Sequence, residues 1–245
     1  MAVFHMQIAG AVARVTSLFE STPAYFAAYL TDQPADFTIA VTQEDLRFED
    51  AQLLAEAHAE GFRVRKFTDP FLERAAIQRG FAEFLFDQQV LLLHGSTLAL
   101  DDQAFLFTAP SGTGKSTHTR LWREQFPDRV RMVNDDKPFL ICREREVLAC
   151  GSPWSGKHGL DSNITVPLRG ICVLARGPEN RIRPMAPEEA LPLLLHQSYC
   201  PLDPQKADAH RQLVETLASQ IPLWKMECTK DPEAAHVARN AMFQI

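Results

Sequence analysis

HGSTLALDDQAFLFTAPSGTGKST, residues 94–117, is the stretch that decides how this chain folds. Two apolar runs, 97–100 and 104–108, flank the turn signal Asp101-Asp102. They are too close in sequence for a helical crossover, so they are expected to pair antiparallel. The second run opens into Ala109-Pro110-Ser111-Gly112-Thr113-Gly114-Lys115-Ser116, which matches G-x-x-x-x-G-K-[ST] with Ala in the first place. A buried strand before the motif and a helix from Ser116 to about Gln125 after it are the context such a loop requires. Gly112 and Gly114 let the backbone take conformations closed to other residues, so successive N–H groups can converge on phosphate oxygens. The helix N-terminus adds partial positive charge. Lys115 is suited to bridge the outer phosphates of a nucleotide, and the Ser116 hydroxyl to meet Mg²⁺. Thr117 follows in the first turn, so Ala109 to Thr117 are the candidate nucleotide contacts.

Downstream, the apolar run 130–133 ends in Asn134-Asp135-Asp136, and Asp135 comes 20 residues after Lys115. A strand that ends in carboxylates near a phosphate loop is where a Mg²⁺-holding Asp belongs. Two carboxylates suit two jobs, one steadying a metal and the other accepting a proton from an attacking hydroxyl. Neighbours on a regular strand point to opposite faces, so both reach one site only if the strand has ended, which Lys137-Pro138 favours. Upstream, His94 closes the run 90–94, 21 residues before Lys115, and is expected at the same end of the sheet as the phosphates.

The remaining pattern is mixed. Residues 1–66 read as a small α/β subdomain: strand runs 3–8 and 12–18 around Ala9-Gly10-Ala11, a short strand 37–41, and a helix from Glu44 to His58 stopping at Gly61. That piece carries no recognisable chemistry. Thr68-Asp69-Pro70 is a helix start, with a capping oxygen and Pro at the first helical position, and apolar spacing runs on through Asp87. Residues 67–245 are taken as the catalytic domain. Strands 139–142 and 147–150 flank the charged tip 143–146, and 166–175 is a buried strand interrupted at Gly170. Helices 187–197 and 206–219, an alternating strand 223–228 and a last helix from Asp231-Pro232 complete the reading. Between the Asp pair and the buried strand, Gly151-Ser152-Pro153-Trp154-Ser155-Gly156-Lys157-His158 combines turn formers, an aromatic ring and a cation. A lid over nucleotide or acceptor, with Lys157 meeting phosphate, Trp154 excluding water and Asn163 nearby, stands beside the plainer reading of a connector with a packed Trp.

Composition bounds the function. The 245 residues suit one large domain, or one with a small companion. Lys and Arg number 25 against 31 Asp and Glu, a net −6, which argues against broad nucleic-acid binding. The five cysteines are odd in number and form no C-x-x-C pair, which argues against a disulfide framework or zinc site and fits a reducing compartment. No apolar run reaches the roughly 18 residues of a membrane span, and the first residues lack a basic signal region, so no membrane partner and a cytoplasmic location are expected.

Taken together, His94–Thr117 and NDDKPFL (134–140) resemble the HPr kinase/phosphorylase family and its relative, ATP-dependent phosphoenolpyruvate carboxykinase. The likeness covers about residues 90–171. It implies an α/β fold with a mixed, largely antiparallel sheet carrying a P-loop, use of ATP and Mg²⁺, and transfer of the γ-phosphoryl group to a hydroxyl. Serine in a peptide or protein, or as the free amino acid, is the implied acceptor. Lys115 and Ser116 would bind phosphate and Mg²⁺. His94 matches the family's active-site histidine, a metal ligand in the carboxykinases. Asp136 matches the proton acceptor, leaving Asp135 as metal or water partner. The resemblance also allows for a homo-oligomer. Where the family has Glu-Ile-Arg-Gly, this chain has Pro167-Leu168-Arg169-Gly170, without the carboxylate. The alternatives are a nucleotide-dependent decarboxylase like the carboxykinase, and a non-catalytic ATP-binding sensor or assembly factor.

Overall fold

A computed structural model describes residues 1–59, 61 and 66–243. The chain divides into two compact units, Met1–Asp87 and Gln88–Ile245.

In the first unit, β1 (Ala2–Ile8) and β2 (Ala11–Ser17) form an antiparallel hairpin, and β3 (Phe37–Ala40) pairs parallel to β2. The turn takes positive φ at both Ala9 and Gly10, the twist that lets two strands reverse within two residues. Between β2 and β3 lies the short helix α1 (Thr22–Tyr25). Helices α2 (Gln43–Ala59) and α3 (Asp69–Phe86) follow. Phe37 stacks on Phe84 with ring centroids 3.8 Å apart and meets Phe81 edge-on, fixing α3 to the sheet. The boundary between the units therefore falls after α3, not at residues 66 and 67. Thr68 does precede α3, but its hydroxyl makes no capping bond; its carbonyl accepts the Phe71 and Leu72 amides at 2.9 and 3.0 Å. The buried Glu73 carboxylate accepts the Leu18 and Phe19 amides and the Thr22 hydroxyl, which offsets the cost of taking a charge out of water.

The second unit is built on a nine-stranded mixed sheet. Its strands are β4 (Val90–Leu92), β5 (Ser96–Leu100), β6 (Gln103–Thr108), β7 (Val130–Asn134), β8 (Phe139–Cys142), β9 (Val147–Cys150), β10 (Thr165–Arg176), β11 (Arg181–Pro184) and β12 (Leu223–Cys228). The order β4-β8-β9-β10-β6-β5-β7 is joined by β12, which pairs β10 and β11. Most pairings are antiparallel; β10 runs parallel to β6 and to β12. The expected hairpin β5–β6 is present, with Asp101 and Asp102 both at positive φ. The pair β8–β9 and the long β10 also match the sequence reading, and β10 changes register between Leu168 and Gly170. The edge strand β11 went unread, because RIRP alternates no apolar face.

Helices α4 (Lys115–Gln125) and α7 (Glu233–Met242) cover one sheet face through a core that includes Phe105, Phe107, Leu121, Trp122, Trp224 and Met226. Helices α5 (Pro187–Gln197) and α6 (Ala207–Gln220) pack on each other. Among the described residues, no helix is long and apolar enough to cross a membrane.

One polar group inside this core reports on acid stability. His118 is 2% exposed, accepts the Trp122 indole N–H at 3.0 Å on Nε2, and lies against Phe107. Burial lowers its pKa to about 4 from 6.5. The unfolded chain thus takes up a proton below about pH 6.5 that the folded chain refuses until about pH 4. Stability contributed by neutral His118 is complete above that window and falls by about 3 kcal/mol as pH drops through it. Urea unfolding from pH 7 to 4 is expected to show this loss, and His118→Gln, which keeps an acceptor for Trp122, to remove that part of the pH dependence.

Candidate functional site

Strand polarity decides which loops share an end of the sheet. Because β5 is antiparallel to both β6 and β7, those two run the same way. Ser96 pairs Phe107 and Thr97 pairs Asn134, so the start of β5 is level with the ends of both neighbours. With strands about 4.8 Å apart, the residues following β6 and β7 emerge roughly 10 Å from each other. The loop 109–114, the carboxylates after β7 and His94 before β5 therefore converge on one edge, as the sequence reading expected.

The loop joins β6 directly to α4. Gly112 and Gly114 have φ of +72° and +127°, and a Cβ on either would meet nothing within 4 Å, so the loop is open on its outer side. Thr113 braces the turn from within: its hydroxyl donates to the Pro110 carbonyl at 2.8 Å and its amide to the same oxygen at 3.3 Å. Lys115 is largely buried, and its Nζ donates to the Ala109 carbonyl at 3.0 Å, curling the ammonium back over the loop. Ala109 is buried; Pro110, Ser111 and Ser116 are exposed, and Thr117 is half-buried. Ser96 and Thr119 share a hydrogen bond of 2.9 Å, which ties the start of β5 to α4.

Asn134 organises the carboxylates. Its Oδ1 accepts the amides of Asp136 at 2.7 Å and Lys137 at 2.6 Å, so the chain turns at once after β7. Its Nδ2 donates to the Ser152 carbonyl at 2.8 Å, fastening the segment from Gly151 beneath the turn. The turn releases Asp135 and Asp136 from strand geometry, and the two enter opposite environments. Asp136 is 35% exposed by side chain, and its Oδ1 lies 3.2 Å from His94 Nε2. Burial pushes its pKa up, but the His94 hydrogen bond and the charges of Lys137, His94 and Lys115 outweigh it and hold the carboxyl below the usual value. The charge of Lys115 thus reaches Asp136. Asp135 is 3% exposed and accepts the Gly156 amide; burial first, and the Asp136 charge with it, raises its pKa. Its Oδ2 is buried and has no hydrogen-bond partner among the described residues. The approach is close: a Cβ at Gly156 would stand 3.1 Å from Asp135 Oδ2, tighter than ordinary van der Waals contact.

Trp154 is 7% exposed and packs edge-on against Phe139. Lys157 is exposed and follows the amide held by Asp135. Asn163 is exposed, flanked by Ser162, whose amide donates to Val133 O, and Ile164, whose carbonyl accepts the Gly151 amide. The stretch Pro167–Gly170 lies at the other end of β10, level with Ala104 at the start of β6, and stays away from the loop. Two contributors were missed by the sequence reading. Asn134 carried a readable signal, an Asn before an Asp pair; Arg176, at the end of β10 beside the loop, carried none.

The donor set admits a nucleotide-borne Mg²⁺ better than a resident one. Among the described residues, no three His, Cys, Asp or Glu side chains converge as a metal cage. Mg²⁺ held largely by phosphates and water needs only one or two protein ligands, and the Ser116 hydroxyl and the unpartnered Asp135 Oδ2 are candidates for them.

No protein-family model matches the chain, and no curated protein matches it. Among solved structures, the HPr(Ser) kinase/phosphatase from Coxiella burnetii aligns with a TM-score of 0.37 and 12% identity, over 62% of this chain and 91% of that one. At that level of overlap the likeness carries no argument, and the functional reading rests on the loop, the carboxylates and the histidine.

Asn134→Ala removes the acceptor for two amides and the donor to Ser152 in a buried setting. Urea unfolding is expected to show a loss of about 2–4 kcal/mol. An unchanged midpoint would mean that the turn after β7 forms without that side chain.

Proposed function

We propose that the chain transfers the γ-phosphoryl group of Mg²⁺-ATP to a hydroxyl, with serine in a peptide, a protein or the free amino acid as the acceptor class. The observation that carries this reading is the Asp136–His94 pair, 3.2 Å between Oδ1 and Nε2, on the sheet edge that also carries the glycine loop. In this reading the amides of Gly112 and of Gly114 to Ser116 and the Lys115 ammonium bind the phosphates, and Lys115 leaves the Ala109 carbonyl to do so. Bound Mg²⁺ supplies charge neutralisation on the phosphate oxygens, with Ser116 and Asp135 holding it. Asp136 takes the proton as the acceptor oxygen bonds to phosphorus and the bond from phosphorus to the β-phosphate oxygen breaks, releasing ADP. His94 orients Asp136 and keeps it ionised. A depressed pKa suits that part, since the carboxylate stays ready throughout the neutral range, and its accessibility to an acceptor counts before its basicity.

Incubation with γ-labelled ATP, Mg²⁺ and a cell extract fractionated by size is expected to place label in a small-molecule, peptide or protein fraction. Asp136→Asn should reduce transfer about 10²–10⁴-fold while leaving nucleotide binding nearly intact. Transfer at the wild-type rate would remove Asp136 as the base, and label in no fraction would contradict phosphotransfer. Lys115→Ala should weaken nucleotide binding and transfer together.

A further inference from the structure

The glycine loop is braced from within by Thr113 on the Pro110 carbonyl and by Lys115 on the Ala109 carbonyl. Its outer side is open at Gly112 and Gly114, and both glycines sit at positive φ. Glycine loses more backbone freedom on ordering than any other residue, so a loop of this kind is costly to hold in one shape. A restraint from outside on the glycine peptides adds to that bracing before a ligand arrives.

Arg176 is the outside group. It closes β10, whose Val173 pairs Thr108 at the end of β6, so the strand runs three residues past the point where the loop begins. Its guanidinium donates from Nε to the Thr113 carbonyl at 3.3 Å and from Nη2 to the Gly112 carbonyl. Two consecutive carbonyls are thus turned toward one planar cation. In a trans peptide the N–H points opposite to its C=O. Drawing the Thr113 carbonyl toward β10 therefore turns the Gly114 amide the other way, while the Thr113 amide is held by the Pro110 carbonyl at 3.3 Å. β10 flanks β6 on one side, while β5 and β7, with His94 and the Asp pair, lie on the other.

We infer that Arg176 is a positioning residue: it pre-shapes the loop so that the Gly114 amide faces the carboxylate side before nucleotide arrives. This rests on the phosphate-binding reading above. The guanidinium acts through the loop backbone and needs no contact with the nucleotide. Its planar fork serves two acceptors at once, which a lysine ammonium, a point charge, does not reproduce at the same spacing. Ordering the loop in advance lowers the entropy lost on binding.

The test has two arms on the full chain. In nucleotide-free protein, amide hydrogen exchange in residues 111–116 should be about 10-fold faster in Arg176→Gln and nearly as fast in Arg176→Lys. The dissociation constant for Mg²⁺-ATP should rise about 10–100-fold in Arg176→Gln, with Arg176→Lys recovering little of it. Unchanged exchange in both variants overturns the inference. So does full recovery of affinity by lysine, because charge alone would then suffice, or unchanged affinity in the glutamine variant. A wild-type chain that binds no nucleotide overturns the phosphate-binding reading instead, while the exchange arm still decides whether Arg176 holds the loop.

Discussion

Strand β5 runs antiparallel to both of its neighbours, and the site depends on that reversal. A strand between two others of like direction puts its own beginning beside their two ends. His94, just before β5, is thereby set between the loop that follows β6 and the carboxylates that follow β7. A central parallel neighbour would have sent its start to the opposite edge. The reversal is forced locally: the Asp101-Asp102 turn, at positive φ in both residues, leaves β6 no course except back along β5.

Given that placement, electrostatics separates two carboxylates that are adjacent in sequence. Asp136 stays near solvent, paired with His94 and within the field of Lys115 and Lys137, and its acidity is enhanced. Asp135 is drawn into the fold, where one amide answers one oxygen and the other oxygen has no partner among the described residues. Burying a carboxylate with half its capacity unmet is costly unless something else meets it. In the proposed function a cation brought by the nucleotide meets that cost at Asp135, and Asp136 takes the proton. The turn made by Asn134 produces both environments, since a continued strand would have sent the two side chains to opposite faces.

Legibility followed the range of the interaction. The β5–β6 hairpin, the loop and its helix, and the carboxylate strand were readable because each is written in consecutive residues: a turn pair, a glycine spacing, an apolar run ending in acids. The apolar stripe of α3 announced a core helix, but which unit it serves is settled by Phe37 and β3, far away in sequence. Trp154 packs against Phe139, fifteen residues earlier, a contact that no local pattern announces. Arg176 reads as an ordinary solvated arginine at a strand end. Its place at the loop comes from the parallel pairing of β10 with β6, which spans 60 or more residues and leaves no local mark.

The central claim is that one bound nucleotide lies within reach of the loop, His94 and the Asp pair together. Mn²⁺-ATP added to isotopically labelled protein tests it through paramagnetic line broadening. The account predicts that the amides of residues 112–116, the amides of Asp135 and Asp136 and the His94 imidazole broaden together at substoichiometric metal. Broadening confined to the loop, with His94 and both aspartates untouched, or broadening centred elsewhere in the chain, would contradict it.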